Sequence, residues 1–180
     1  MTSTESVADA TERPRLAILT DIGGDPDDQQ SMIRLMFYSR EFEIEALIAS
    51  ASGIPGQLDQ SVVRPDLIQE IIEAYGEVLP NLQRHATGWP SPDHLLSVVK
   101  SGNPCRKRDF IGEGHDTEGS RFLIACVDSG TEQRPLNLCI WGGQTDLAQA
   151  LWRVRQDRGT QELSAFVQKL RVHDIDDQDG

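Results

Sequence analysis

Cysteines are few in this sequence, and their spacing matches no metal or redox motif. The 180 residues include three cysteines, Cys105, Cys126 and Cys139, without a C-x-x-C pair. An odd number of cysteines, two of them in apolar runs, is typical of buried free thiols and argues against a disulfide framework. This usage suits a reducing compartment, so we expect the protein in the cytoplasm.

Basic residues are also scarce. There are 17 lysines and arginines against 29 aspartates and glutamates, which gives a net charge of −12 at pH 7. Nucleic-acid binding needs lysine and arginine stripes that neutralise phosphates, so the composition argues against a nucleic-acid partner. The one basic cluster, Arg106-Lys107-Arg108, is interpreted as part of a solvated loop, with a phosphate-binding patch as the alternative.

Long apolar runs and a secretory pattern are absent as well. No stretch approaches the roughly 18 apolar residues of a membrane helix, so we expect no membrane partner. Residues 1–14 are rich in serine, threonine and glutamate and have no apolar segment typical of a signal peptide. We predict a disordered lead-in over residues 1–14 and one α/β domain over residues 15–180.

Strand-length apolar runs alternate with helical patterns along this domain. Strands are predicted at 15–20, 43–50, 136–141 and 170–175, and helices at 27–39, 58–75, 93–100, 118–129, 143–158 and 161–169. Pro65 is expected to kink its helix or to begin a new one. The alternation predicts an open, mostly parallel sheet with helices on both faces, whose ligands lie beyond the carboxyl ends of the strands.

A loop with four carboxylates follows the first predicted strand. Its aspartates are Asp21, Asp25, Asp27 and Asp28. Helix capping explains the last three, since acids in a first helical turn are favoured by roughly 0.3–1 kcal/mol each. Capping does not explain Asp21, or the Gly23-Gly24 pair that allows a tight turn, and no basic residue is close in sequence. A hard divalent cation binds several carboxylate and carbonyl oxygens, so a metal site and a capped helix both remain open at this point.

Three segments carry a resemblance to a known superfamily. Thr20-Asp-Ile-Gly-Gly-Asp-Pro-Asp-Asp28 resembles the N-terminal acidic motif of the nucleoside hydrolases, and more closely that of the related nucleoside hydrolase-like branch, often described as cellulose-binding proteins. Leu138-Cys-Ile-Trp-Gly-Gly-Gln-Thr-Asp-Leu-Ala148 is similar to the second landmark, a strand that ends in Gly-Gly before a helix. Ile111–Ser120 also resembles the branch. The resemblance extends from Arg15 to the C-terminus and implies an open α/β fold, here the N-terminal portion of an apparently truncated domain.

The resemblance also implies a Ca²⁺ ion bound to aspartates of the first loop and to the backbone carbonyl before the Gly-Gly turn. By position, Asp21 and Asp28 are the implied metal ligands, and Trp141 contributes its carbonyl. Asp25 and Asp27 are the catalytic candidates, each as the general base or as a further ligand.

Substrate contacts are implied at two other positions. Gly53 occupies the place where true nucleoside hydrolases have a sugar-binding asparagine, and His115 lies in a small polar loop that can reach a substrate. The usual Thr-Asn after the Gly-Gly pair is Thr145-Asp146 in this chain. The late metal-binding aspartate and the late acid histidine of the family have no counterpart before residue 180.

The implied function is calcium-dependent hydrolysis of N-glycosidic bonds in a nucleoside or related small glycoside. Water activated by the cation attacks the ribosyl anomeric carbon, and an aspartate takes the proton. The alternative is a module of the same fold that binds a cation or carbohydrate without turnover. A magnesium phosphotransferase site is disfavoured because there is no Walker-type glycine loop with lysine. An exposed sheet edge would also favour a homo-oligomer.

Overall fold

The computed structural model describes residues 13–24, 26–51 and 62–175. In chain order the elements are β1 Arg15–Thr20, α1 Asp27–Tyr38, β2 Glu43–Ala49, α2 Pro65–Leu82, α3 Pro92–Ser97, β3 Val99–Ser101, α4 Glu118–Asp128, β4 Leu136–Ile140, α5 Thr145–Gln168 and β5 Leu170–Asp174. The strands pair in parallel in the order β3-β2-β1-β4-β5. The predicted open α/β sheet is confirmed.

Side chains that alternate along β1 divide the core between the two faces of the sheet. Leu16 and Ile18 belong to a core with α1, α2 and α3 on one face. Ala17 and Leu19 belong to a second core with α4 and α5 on the other face. Successive strand residues point to opposite faces, so a strand covered on both sides must be apolar almost throughout. The predicted placement of helices on both faces is therefore confirmed.

The direction of winding reverses between β1 and β4. From β1 the chain runs through α1 to β2 on one side, and from β4 it runs through α5 to β5 on the other. The loops leave the carboxyl ends of these neighbouring strands in opposite directions, and such a switch point opens the crevice in which open α/β sheets bind ligands. The aspartate loop follows β1 and the Gly142-Gly143 turn follows β4. Both motifs therefore lie at the switch point.

Two predicted helices have different bounds in the structure. The segment predicted as one helix at 93–100 is α3 followed by the strand β3, which pairs with β2. A short apolar run has too few residues for its periodicity to separate strand from helix. The helix predicted at 58–75 begins at Pro65, where a missing N–H is tolerated, and continues to Leu82. Residues 52–61 lie outside the described part of the chain.

The three cysteines are free, and Cys126 is buried. Burial raises the pKa of the Cys126 thiol to about 11, which leaves it protonated and unreactive at neutral pH. Over the described ranges, no helix combines the length and the apolar character that crossing a membrane would require.

Candidate functional site

Asp21 follows the last residue of β1 and is buried at the crevice. A tight turn holds it there, since the N–H of Gly24 donates to the Asp21 carbonyl at 3.1 Å. Gly23 has a φ of +99°, which side chains rarely adopt, and a Cβ atom at Gly23 would lie 3.0 Å from Cγ of Arg64. The backbone conformation therefore favours glycine directly after Asp21-Ile22, and a side chain there would also crowd Arg64.

Asp28, in the first turn of α1, is buried beside Asp21. The hydroxyl of Thr20 donates a hydrogen bond to Oδ2 of Asp28. Burial raises the pKa of Asp28 to about 7. The hydrogen bond from Thr20 lowers this pKa, whereas the charge of Asp21 and a hydrogen bond between Asp28 and Asp21 raise it further. Asp21 and Asp28 therefore form a carboxyl pair in which Asp28 holds its proton well above the usual range for aspartate.

The turn after β4 reaches the same pair of carboxyl groups. The N–H of Trp141 donates to the Leu19 carbonyl at 2.8 Å, next to the end of β1. A Cβ atom at Gly142 would lie 2.6 Å from both Cβ and Cγ of Asp21, so only glycine permits this close approach. The carbonyl of Trp141 is part of the Trp141–Gly142 peptide bond, which adjoins this contact between Gly142 and Asp21. The structure thus brings Asp21, Asp28 and the Trp141–Gly142 backbone together.

A guanidinium group that the sequence analysis missed also contacts these acids. Nη2 of Arg106 donates to Oδ2 of Asp21 at 2.8 Å and to the Ala51 carbonyl at 2.8 Å, and Nε donates to the same carbonyl at 3.3 Å. Only 13% of the Arg106 side chain and 11% of the Asp21 side chain are exposed. The interpretation of Arg106 as part of a solvated loop is therefore wrong, and the acids do have a basic neighbour.

The missed strand explains the missed arginine. Arg106 lies in the loop that follows β3, and the carboxyl end of β3 is at the same sheet edge as Asp21. If Val99–Ser101 is interpreted as the end of a helix, nothing in the sequence directs residue 106 towards this edge. Recognising β3 as a parallel strand would have placed the arginine at the same sheet edge as the acidic loop.

The other predicted site residues are less closely joined to the pair. Asp27 is exposed, and its Oδ1 accepts the N–H of Asp28 at 2.8 Å. The His115 ring packs edge-on against Phe110 with centroids 6.1 Å apart, and the backbone N–H of His115 donates to the Gly112 carbonyl at 3.2 Å. Asp25 and Gly53 lie outside the described residues, so their predicted roles stay predictions.

A further buried carboxylate joins the loops around the crevice. Asp146, in the first turn of α5, is fully buried and accepts the N–H of Asn103 at 2.9 and 3.1 Å. It also accepts the hydroxyl of Thr117 at 2.6 Å, and Thr117 caps the start of α4. Asn103 begins the loop that carries Arg106. Asp146 therefore fixes that loop, and the loop of His115, to the end of β4.

The donor atoms at the switch point fit part of a calcium shell. Ca²⁺ prefers carboxylate and carbonyl oxygens, which are the groups that Asp21, Asp28 and the backbone present. The guanidinium of Arg106 shows that a carboxylate and a carbonyl at this point already bind a cationic group. Within residues 13–24, 26–51 and 62–175, no three His, Cys, Asp or Glu side chains are placed to hold a metal ion. The described carboxyl groups would thus supply two side-chain ligands.

Comparison with known proteins identifies relatives of the chain. Residues 15–180 match the family described as "Cellulose-binding Sde182, nucleoside hydrolase-like domain". A solved structure of a nucleoside hydrolase-related hypothetical protein from Saccharophagus degradans, associated with carbohydrate metabolism, is 37% identical and superposes with a TM-score of 0.84. The match covers 93% of this chain and 39% of that one, so this chain spans well under half the length of that protein. No curated protein matches the chain.

Proposed function

Because the chain belongs to the family of Sde182 nucleoside hydrolase-like domains, we propose that its acidic loop forms a calcium-dependent site that hydrolyses N-glycosidic bonds. The observation that carries this proposal is the convergence of Asp21, Asp28 and the Trp141–Gly142 backbone at the switch point between β1 and β4. The substrate is a small molecule, a nucleoside or a related glycoside.

Each described residue has a distinct part in holding the cation. Asp21 and Asp28 are the side-chain ligands, and Trp141 supplies its carbonyl. The Thr20 hydroxyl orients the Asp28 carboxyl group, and the absence of a side chain at Gly142 leaves room for Asp21. A bound calcium ion would activate a water molecule and polarise the sugar hydroxyls as a Lewis acid.

The protein must also move a proton and hold the sugar. Asp27 and Asp25 are the candidates for the base that takes a proton from the attacking water. Asp27 is exposed at the start of α1, next to the buried pair. His115 and Gly53 are the candidate sugar contacts. The loop of His115 leads into Thr117, which is bonded to Asp146 at the same sheet edge.

Release of free base from purine and pyrimidine nucleosides tests the proposed reaction. We expect base release that needs added calcium, stops with a chelator, and is abolished by Asp21→Asn. Asp93→Asn, which removes an exposed acid from α3, is the matched control and should act like the wild type. Calcium binding without release of base from any nucleoside would contradict the hydrolase proposal.

The second candidate is a non-catalytic module that binds a cation or a carbohydrate at the same crevice. It is supported by the family description as cellulose-binding and by the association of the solved relative with carbohydrate metabolism. Sedimentation with insoluble cellulose, with and without calcium, measures this activity. The module is favoured if the protein is depleted from solution but releases no base, and it is rejected if neither cellulose nor soluble cello-oligosaccharides bind.

A further inference from the structure

The contacts of Arg106 extend the proposed calcium site, on which the following inference rests. We infer that Arg106 is a built-in competitor for the cation, whose guanidinium must leave Oδ2 of Asp21 before a divalent cation can bind that oxygen. The residue would thus determine how tightly, and how selectively, the site binds cations.

The geometry places the guanidinium on the same atoms that a cation would use. Nη2 of Arg106 lies 2.8 Å from Oδ2 of Asp21 and 2.8 Å from the Ala51 carbonyl oxygen. Calcium binds oxygen at about 2.3–2.6 Å. A calcium ion on Oδ2 would therefore lie very close to the guanidinium, and two cations this near each other repel strongly in a buried site. The guanidinium and the calcium ion therefore compete for Oδ2 of Asp21.

The loop of Arg106 is fixed, which makes the arginine an effective competitor. Asn103 donates its backbone N–H to Asp146 and its side-chain amide to the Phe110 carbonyl, and its Oδ1 accepts the N–H of Cys105. These hydrogen bonds hold the loop at both ends, at Asn103 and at Phe110. Because the loop backbone is already ordered, pairing with Asp21 restricts only the rotamers of the arginine side chain. Its displacement then needs only side-chain rotation.

The charge of an ion determines how well it competes with the guanidinium. A monovalent ion offers Asp21 and Asp28 no more charge than the guanidinium already does, whereas a divalent ion offers twice as much. The displaced arginine is also partly buried, so only a strongly held ion can compensate for the lost contacts. We therefore expect the site to discriminate against sodium and potassium and to bind calcium more weakly than its oxygens alone would allow.

Calorimetric titration of calcium chloride into the full chain tests the competition. Arg106→Gln removes the competitor, and Arg108→Gln removes an equal charge from an exposed position in the same loop. We expect Arg106→Gln to bind calcium at least tenfold more tightly than the wild type, and Arg108→Gln to remain within twofold of it. An equal or weaker affinity of Arg106→Gln, with calcium still bound by the wild type, overturns the competition but leaves the calcium site intact. If neither protein binds calcium, the proposed site is rejected and the competition with it.

A measurement on the wild type avoids any effect of the substitution on folding. The Nε–H signal of Arg106 in a nitrogen-15 NMR spectrum reports its hydrogen bond to the Ala51 carbonyl. We expect calcium to shift or broaden this signal and to leave the Arg108 signal unchanged. An Arg106 signal that stays constant while calcium saturates the protein would show that the guanidinium remains in place, which contradicts the inference.

Discussion

Asp28 is the residue at which the chemistry of the site and the stability of the fold are most directly coupled. It is buried, bonded to Thr20 and adjacent to Asp21. A carboxylate in this position lacks the hydration that it has in the unfolded chain, so its charged form is disfavoured in the folded protein. Without a cation, the protein therefore gains from keeping a proton on Asp28.

Stability in the absence of calcium should consequently fall as pH rises. The folded pKa of Asp28, about 7, lies above the ordinary aspartate value of 3.8, so between these pH values the folded chain binds more protons than the unfolded chain. The free energy of unfolding then decreases with pH, by at most about 1.4 kcal/mol per unit for one proton, and levels off above pH 7. Urea unfolding in a chelator at pH 5 to 8 measures this decrease.

Two variants isolate the contribution of Asp28. Asp28→Asn cannot titrate and should lack the part of the decrease that the wild type shows between pH 5 and 7. Asp27→Asn changes an exposed neighbour and should retain it. Identical pH profiles for the wild type and Asp28→Asn would show that Asp28 has an ordinary pKa.

The sequence predicted candidate site residues that lie in local motifs and missed a residue that reaches the same crevice from elsewhere. Spacing and resemblance pointed to Asp21, Asp28 and Trp141, which the structure places around one crevice. Arg106 is 85 residues from its partner Asp21, so no local pattern links them. Arg15 is a similar case, since its buried ion pair with Glu45 forms only when β1 and β2 align.

At the scale of elements, the first turn of α5 ties three loops together through Asp146. Both carboxylate oxygens accept hydrogen bonds, from the Asn103 N–H and from the Thr117 hydroxyl. An amide at this position has only one acceptor oxygen and would turn an N–H towards one of these donors. The negative charge is also favoured at a helix N-terminus.

We expect Asp146→Asn to destabilise the protein by about 1–3 kcal/mol, the cost of leaving a buried polar group unpaired. The comparison is Asp157→Asn on the same helix, where the side chain is 57% exposed and its ion pair with Arg153 is long, at 3.6 Å. That exposed change should cost less than about 1 kcal/mol. Chemical denaturation of both variants at one pH measures the difference, and equal losses would contradict the structural role of Asp146.

The elements themselves were largely predictable, and the exceptions have physical causes. The long amphipathic and apolar segments predicted α1, α4, β1, β2 and β4 close to their observed bounds. The two helices predicted at 143–158 and 161–169 are the two parts of α5, which is interrupted at Gly159 with a φ of +81°. The strand β3 has three residues, too few for any period, and its strand conformation depends on pairing with β2.

For the whole molecule, alternation of strands and helices predicted a parallel sheet, but it could not give the strand order. Helical crossovers allow the next strand to lie on either side of the previous one. The order β3-β2-β1-β4-β5 creates the switch point between β1 and β4, and hence the site. Placement of the acidic loop and the Gly-Gly turn side by side thus depends on tertiary structure.

The edge strand β5 is a surface through which the expected homo-oligomer could form. Within the described ranges β5 pairs only with β4, and its residues Arg171, Val172 and His173 are exposed. Val172 is 51% exposed and the following Ile175 is 64% exposed. An exposed edge strand presents unpaired backbone groups to a second copy of the chain.

We expect the protein to associate with itself as its concentration rises, and Val172→Lys to reduce this association because a charged edge opposes pairing. Val78→Lys, an exposed valine on α2, carries the same change away from the sheet edge and should associate like the wild type. Size-exclusion chromatography with light scattering measures the mass of each. A wild type that stays monomeric over the whole concentration range contradicts the expectation.

Calcium calorimetry on the wild type and on Asp28→Ala tests most directly the claim that the buried acids at the switch point hold a cation. We expect the wild type to bind one calcium ion and Asp28→Ala to bind at least tenfold more weakly, with Asp93→Asn unchanged. The absence of calcium binding by the wild type and by Arg106→Gln alike would contradict the claim, and the acidic loop would then serve only to begin α1 with acids in its first turn.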